Sequence, residues 1–185
     1  MILNDTPKFS FFKAPVANVS PDRQITIRDA YLAISGDYFK RATLELRSIT
    51  DQTENRNFKA TNFSFVTFSG TFSRRNEKSL IQHSGYMVLD FDHLENVAAV
   101  KDRLLKDPHF YTELLFVSPN GNGLKWVVQI DISGKYSHGQ YFDAIKNYIK
   151  STHQLEIDKS GRDICRVCFL SWDPDAFVHP KHLIR

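Results

Sequence analysis

The sequence predicts an α+β fold: a single domain in which a mainly antiparallel sheet carries helices packed on one main face. Three observations predict it. Residues alternate with period two around 63–68, and apolar residues occupy both parities through 86–92, as strands require. The period lengthens to that of amphipathic helices at 96–108 and 137–153. Between those helices, "TELLFVSPNGNGLKWVVQIDI" reads as strand, turn, strand, with glycines and asparagines to permit positive φ.

Taken in order, residues 4–23 read as an extended arm interrupted by Pro7, Pro15 and Pro21. In "SPDRQITIRDAYLAISGDYF", Ser20 is a candidate cap with Pro21 at the first helical position. Either this segment or the part from Ile27 is helical through about Ile34 and ends near Gly36. "DYFKRATLELRSI" reads as a second helix, with Phe39, Leu44, Leu46 and Ile49 partly on one face. In "NFKATNFSFVTFSGTFS", Phe63, Phe65 and Thr67 alternate with Ser64, Val66 and Phe68, and Gly70 marks a turn or a close backbone approach. "RRNEKSLIQHSG" is polar and reads as loop. "YMVLDFD", apolar on both faces, reads as a central strand. "NVAAVKDRLLKDP" places Val97, Val100 and Leu104 on one helical side. In "SHGQYFDAIKNYIKSTH" the inner stripe is Tyr141, Ile145, Tyr148 and Ile149. "DICRVCFLSW" reads as a further strand, and 173–185 as a tail or edge segment. Residues 1–57 therefore supply an arm and helices that pack on a core at 58–185.

The 185 residues and 42% hydrophobic content suit one globular domain. The 15 Phe point to a core rich in flat rings. A net charge of +3 permits contact with nucleic acid without arguing for it. The start lacks a basic segment followed by a long apolar run, and no stretch has the length of a membrane span, so a cytoplasmic protein without membrane contact is expected. Cys165 and Cys168 are too close together in a strand-like run for an ordinary disulfide, which fits a reducing compartment. The ending at "HLIR" suggests the N-terminal part of a longer protein.

The chemistry centres on Asp90 and Asp92. On a strand, residues two apart share a face, with backbones roughly 7 Å apart. Both carboxylates can then converge on one cation while Phe91 enters the core, and carboxylate oxygens are what Mg²⁺ takes. Alone, the pair is a weak signal that reads first as two solvated acids at a strand end. "SPNGNGLKW" adds Ser118, Asn120, the backbone amides freed by Gly121 and Gly123, and Lys125, a combination suited to a triphosphate. A long turn with a solvated lysine accounts for it equally. "EIDKSGRDICRVCF" offers Asp158 as a third carboxylate, Asp163 as its rival, and Arg166, which inside an apolar strand needs an acid or a phosphate as partner.

These residues together resemble the BT4734-like, or VirE N-terminal, domain family of Bacteroidetes mobile-element proteins, which is similar to a divergent branch of the archaeo-eukaryotic primase (primase-polymerase) superfamily. The resemblance rests on a strand ending in Asp90-Phe91-Asp92, a Ser/Gly-rich hairpin ending in a basic residue, and an Asp ahead of "RVCFLSWDPD". It covers about residues 58–178, and "FSGTF" at 68–72 also fits. It implies an RRM-like, primase-like sheet and metal-dependent nucleotidyl transfer in replication of a mobile element. Asp90, Asp92 and Asp158 would be the catalytic acids that hold Mg²⁺ or Mn²⁺, and Ser118 would contact the triphosphate. Lys125 stands where primases place a histidine; it can hold phosphate as a point charge but cannot copy an imidazole. The implied partners are a nucleoside triphosphate, a single-stranded or primed DNA template, and a fused or associated helicase-like ATPase domain. The alternative is a non-catalytic module that binds nucleic acid or nucleotide for a mobile-element protein. A nuclease could use the same acids, but no base or water-positioning residue is evident.

Arg74, Arg75 and Lys78 form a basic loop that could track a template backbone, or a solvated face. Phe72 could stack on a base and could equally be core. Cys165, Cys168, His179 and His182 have the wrong spacing for zinc. His83, His93, His109, His138 and His153 form no cluster in the sequence, although His93 adjoins the acidic pair.

Overall fold

The computed structural model describes residues 6–184. Positions 4 and 5 of the predicted arm and position 185 of the predicted tail lie outside the described residues. The elements are β1 (Phe9–Phe12), β2 (Arg23–Ile25), α1 (Ile27–Ser35), α2 (Lys40–Ser48), α3 (Gln52–Asn62), β3 (Phe65–Thr67), β4 (Gly70–Phe72), β5 (Leu80–His83), β6 (Tyr86–Phe91), α4 (Val97–Leu105), β7 (Thr112–Val117), β8 (Leu124–Gln129), α5 (His138–His153), β9 (Cys168–Phe169) and β10 (Phe177–Val178). They form one α+β domain.

The main sheet has the order β10-β7-β8-β6, and every pairing in it is antiparallel. A second antiparallel sheet has the order β2-β1-β3-β9, and β4 pairs with β5. The period of two sorts the main sheet's side chains between two apolar layers. Met87, Leu89, Phe91, Leu115 and Trp126 meet Val100 and Leu104 of α4 and Phe142, Ile145 and Ile149 of α5. Tyr86, Val88, Leu114, Phe116 and Val127 on the other face meet Phe9, Phe11 and Val66 of the second sheet and Ala30 and Ile34 of α1. The sheet is thus covered on both faces: α4 and α5 take one, and the second sheet with α1 takes the other. The expected single helical face was half of this arrangement.

Several local expectations change for tertiary reasons. The arm is no appendage. Its residues 9–12 form β1, hydrogen-bonded on both sides, to β2 and β3. Because 23–25 extends as β2, the first helix begins at Ile27, capped by Thr26 in a reciprocal capping box with Asp29; Ser20 does not cap it. The helix α3, absent from the sequence reading, starts at Asp51, whose side chain accepts from the Glu54 amide. The loop expected at 74–85 contains β5. The strand expected at 163–172 shrinks to Cys168–Phe169. The strand β6 has apolar neighbours on both faces but lies at the sheet's hydrogen-bonding end. Its open edge is met instead by the segment after α5, where the Asp158 amide donates to the Asp90 carbonyl at 2.9 Å. No helix among the described residues is long and apolar enough to cross a membrane.

Candidate functional site

Strand parity sends Asp90 to the side facing the second sheet, opposite Phe91. There it is only 6% exposed. Its cross-strand partner in β8 is Lys125, so Lys125 lies within a strand rather than in the hairpin loop. The Lys125 ammonium pairs with Asp90 Oδ2, and Arg166 Nη2 approaches the same oxygen at 3.6 Å. Asp90 Oδ1 is buried and has no hydrogen-bond partner. A buried carboxylate oxygen left bare costs about 1–3 kcal/mol or more, so such an atom needs a reason.

Asp158 reaches the cluster through its backbone. The same segment whose amide closes β6's edge turns at once into a short 3₁₀ stretch, Lys159–Arg162, capped by the Asp158 side chain. Ser160 donates to Asp158 from its amide at 2.9 Å and from its hydroxyl at 2.6 Å. Arg166 Nη2 donates to Asp158 Oδ2 at 2.6 Å. Burial alone raises the Asp158 pKa. The Ser160 hydrogen bonds and the charges of Arg166 and Lys125 outweigh it and hold the carboxyl below its ordinary value. Arg166 sits in the turn just before β9, not inside a strand, which frees it to bridge two acids. Asp163, the rival third acid, accepts from the Cys165 amide and stands outside the cluster.

Asp92, one residue beyond β6, is exposed on the same side. One oxygen from each of Asp90, Asp92 and Asp158 lies within 4.8 Å of the others. Among the described residues this is the one grouping of three or more acid, histidine or cysteine side chains close enough to share an ion. The donor set suits a hard divalent cation: three carboxylates graded from buried to exposed, one of them with a bare oxygen. His93 adjoins the site with φ 55°, and its side chain is exposed.

The glycine hairpin lies at the same end of the sheet. The Leu94 amide, two residues past Asp92, donates to the Asn122 carbonyl at 2.8 Å. Gly123 must be glycine because a Cβ there would stand 2.2 Å from the Phe91 carbonyl oxygen. Ser118 is buried, with its amide on the Gly123 carbonyl. Gly121, at φ +86°, uses its amide to close the turn onto the Ser118 carbonyl, so that amide is not free for a ligand. Asn120 is exposed at the tip. Arg47 of α2 holds the loop from behind, donating to the Pro119 and Ser118 carbonyls at 3.1 and 3.3 Å.

Lys59 of α3 was not anticipated. Burial and the charge of Lys125 push its ammonium below its ordinary pKa, while Asp92 and Asp90 oppose that shift. Lys59 therefore shares the field of the acid cluster. The Asp51-x-x-Glu54 cap signature could have revealed the helix, but nothing local could have aimed Lys59 at Asp90. Of the predicted basic loop, Arg74 and Lys78 are exposed. Arg75 is half-buried, with Nη2 on the Val16 carbonyl and its guanidinium 5.5 Å from the Phe65 ring centroid. Phe72 is core. Cys165 and Cys168 are buried free thiols, both pushed up by burial, to about 11 and about 12. They do not converge with His179 and His182.

The family model for the BT4734-like N-terminal domain matches residues 57–177, from the middle of α3 to the start of β10. The chain belongs to this family. No curated protein and no solved structure matches the chain. In this BT4734-like domain the matched span holds every residue of the acid cluster. Lys59, Lys125 and Arg166 lie within it too, whereas β1, β2, α1 and α2 precede it.

Proposed function

We propose that this BT4734-like domain is a metal-dependent nucleotidyltransferase of the primase-polymerase kind, acting in replication of a mobile element. The observation that carries the reading is the convergence of Asp90, Asp92 and Asp158 within 4.8 Å, with Asp90 Oδ1 buried and bare. Asp90, Asp92 and Asp158 would hold Mg²⁺ or Mn²⁺. Such an ion, when bound, supplies charge neutralisation at a phosphoryl group and acidifies an attacking hydroxyl. The remaining roles belong to this chain's own side chains. Lys125 fixes the Asp90 carboxylate and places a positive charge beside it. Arg166, anchored on Asp158, keeps donors free for a phosphate. The hairpin that carries the buried Ser118 stands beside Asp92, with Asn120 exposed at its tip. The nucleotide would be a nucleoside triphosphate and the template single-stranded or primed DNA. A fused or associated helicase-like ATPase domain would open duplex ahead of it.

The test is titration calorimetry with Mn²⁺ and a nucleoside triphosphate, paired with primer extension. Metal-dependent triphosphate binding that vanishes in Asp90→Asn, with extension of a primed template by the wild type, is the expected result. Binding that ignores metal and survives Asp90→Asn would remove the enzyme reading. One observation favours a second reading, a non-catalytic module that binds nucleic acid or nucleotide. Lys125 and Arg166 already neutralise Asp90 Oδ2, so the cluster carries three cations, Lys59 included, against three acids. Metal-independent binding of single-stranded DNA without extension supports that module.

A further inference from the structure

A cavity of about 710 Å³ opens beside Arg166, and none of Asp90, Asp92 and Asp158 lines it. Its walls come from three places: the turn before β5, the start of α5, and the Lys159–Val167 segment. Four cationic side chains line it, Arg75, Lys159, Arg162 and Arg166, against two acids, Glu77 and Asp163. One of those acids, Asp163, is engaged locally on the Cys165 amide. The volume falls within the range of ordinary ligand pockets, and the lining mixes charged and apolar side chains but offers no Phe, Tyr or Trp as a platform for a base.

The cations are built in rather than scattered. The Arg162 guanidinium lies over the first turn of α5, so close that a Cβ on Gly139 would sit 3.2 Å from its central carbon. Asp143 orients it by accepting from Nε at 3.1 and 3.2 Å, which leaves the two terminal nitrogens to the cavity. Arg75 and Arg166 each keep a buried Nε without a partner. The α5 N-terminus, capped by Ser137, adds its positive end to the same wall. Ser160 and Arg166 belong both to this cavity and to the Asp158 hydrogen-bond set, so the two sites share a wall.

We propose that this cavity is a phosphodiester-binding subsite that tracks the backbone of a single nucleic-acid strand leading toward the acid cluster. It supplies charge and guanidinium forks where phosphates pass and no Phe, Tyr or Trp platform for a base, a balance that favours backbone contact over base readout. The direction of the strand rests on the function proposed above; the phosphate subsite itself does not. Of the basic loop singled out in the sequence, Arg75 belongs to this subsite, and Arg74 and Lys78 do not line it.

The experiment uses the whole chain with Arg162→Gln, Lys159→Gln and the double variant, which leave Asp90, Asp92 and Asp158 in place. Arg162 and its partner are both largely exposed, so the fold tolerates the change, and circular dichroism and a thermal melt verify it. Binding of a fluorescent single-stranded oligonucleotide is followed by anisotropy across salt concentrations. The expected result is about a fivefold to tenfold loss of affinity in the double variant. The slope of log K against log salt should fall by about 1.4 in the double variant, since each of the two lost phosphate contacts on a single strand removes about 0.7. Metal-dependent triphosphate binding should stay at the wild-type level. Unchanged oligonucleotide affinity and slope overturn the proposal. So does a loss confined to the mononucleotide or to inorganic phosphate. If Asp90→Asn leaves triphosphate binding intact while the double variant still loses the oligonucleotide, the proposed enzyme activity fails and the strand subsite stands.

Discussion

Glu113 of β7 and Asp90 of β6 are buried carboxylates in the same sheet, and they are satisfied differently. Glu113 has no exposure; Lys181 Nζ reaches Oε1 and His182 Nε2 reaches Oε2, each at 2.6 Å. Burial alone raises its pKa, but those two partners outweigh it and bring the carboxyl below its ordinary value. Asp90 has both its cations on Oδ2 and nothing on Oδ1, and two further carboxylates stand beside it. The closed carboxylate is a joint that ties the turn at 180–182 to the sheet. The half-closed one, among other acids at an open sheet end, has the features of a ligand. The contrast separates buried charge that holds the fold from buried charge that awaits a partner.

The largest effect should come from breaking the joint. Glu113→Ala leaves His182 buried without its partner, and removal of one member of a buried pair costs about 3–5 kcal/mol. At about 2–4 °C per kcal/mol for a chain of this size, Tm should fall by roughly 6–20 °C in a thermal melt. Metal response should persist. A Tm within about 2 °C of wild type would show that Glu113 is no joint and dissolve the contrast.

Asp90→Asn should do the reverse. Stability without metal should fall by less than in Glu113→Ala, because the amide weakens the Oδ2 pairing with Lys125 and Arg166 but also relieves the bare Oδ1, whose burial costs about 1–3 kcal/mol. Mn²⁺ should raise the Tm of the wild type and leave that of the variant unchanged, because a ligand stabilises only in proportion to its binding. Lys125→Met sharpens the point. Removing the cation from Asp90 should tighten Mn²⁺ binding about fivefold or more by calorimetry, while triphosphate affinity falls. Weaker Mn²⁺ binding in that variant would mean that Lys125 orients the acid for the ion rather than competing with it.

The smallest effect concerns a histidine pair beside the second site. The Gly85 amide donates to His83 Nδ1 at 2.9 Å, so His83 carries its proton on Nε2, 3.1 Å from His138 Nδ1. Burial, then the neighbouring His138, push the His83 pKa down to about 4 from an ordinary 6.5. A base held neutral in the fold but protonated when unfolded contributes fully above pH 6.5. That contribution is lost as pH falls toward about 4. The fall in Tm across that window should be shallower in His83→Gln, and an identical pH profile would remove His83 from the account.

The legibility of these features tracks their range in the chain. "YMVLDFD" announced a strand with two acids on one face because period two is a local rule, and α4 and α5 followed from their apolar spacing. The hairpin was legible because "SPNGNG" admits few conformations other than a turn. The extended character of β1 was legible but its place was not, since a short phenylalanine-rich run between prolines joins a sheet only when β2 and β3 are there to bond it. Nor was the brevity of β9, whose sequence has strand composition but whose first half bends into the turn that frees Arg166.

The sequence by itself determined the α+β class, the placing of Asp90 and Asp92 on one strand face, the turn between β7 and β8, and two well-formed helices. Each follows from steric preference or side-chain periodicity within about ten residues. Tertiary structure alone decided that Asp158 arrives beside them, that Lys125 and Arg166 settle on one Asp90 oxygen and leave the other bare, and that Arg75 and Arg162 line one cavity. Those outcomes depend on which edges and faces remain unpaired once the sheets close, a property of the whole packed chain that no local stretch encodes.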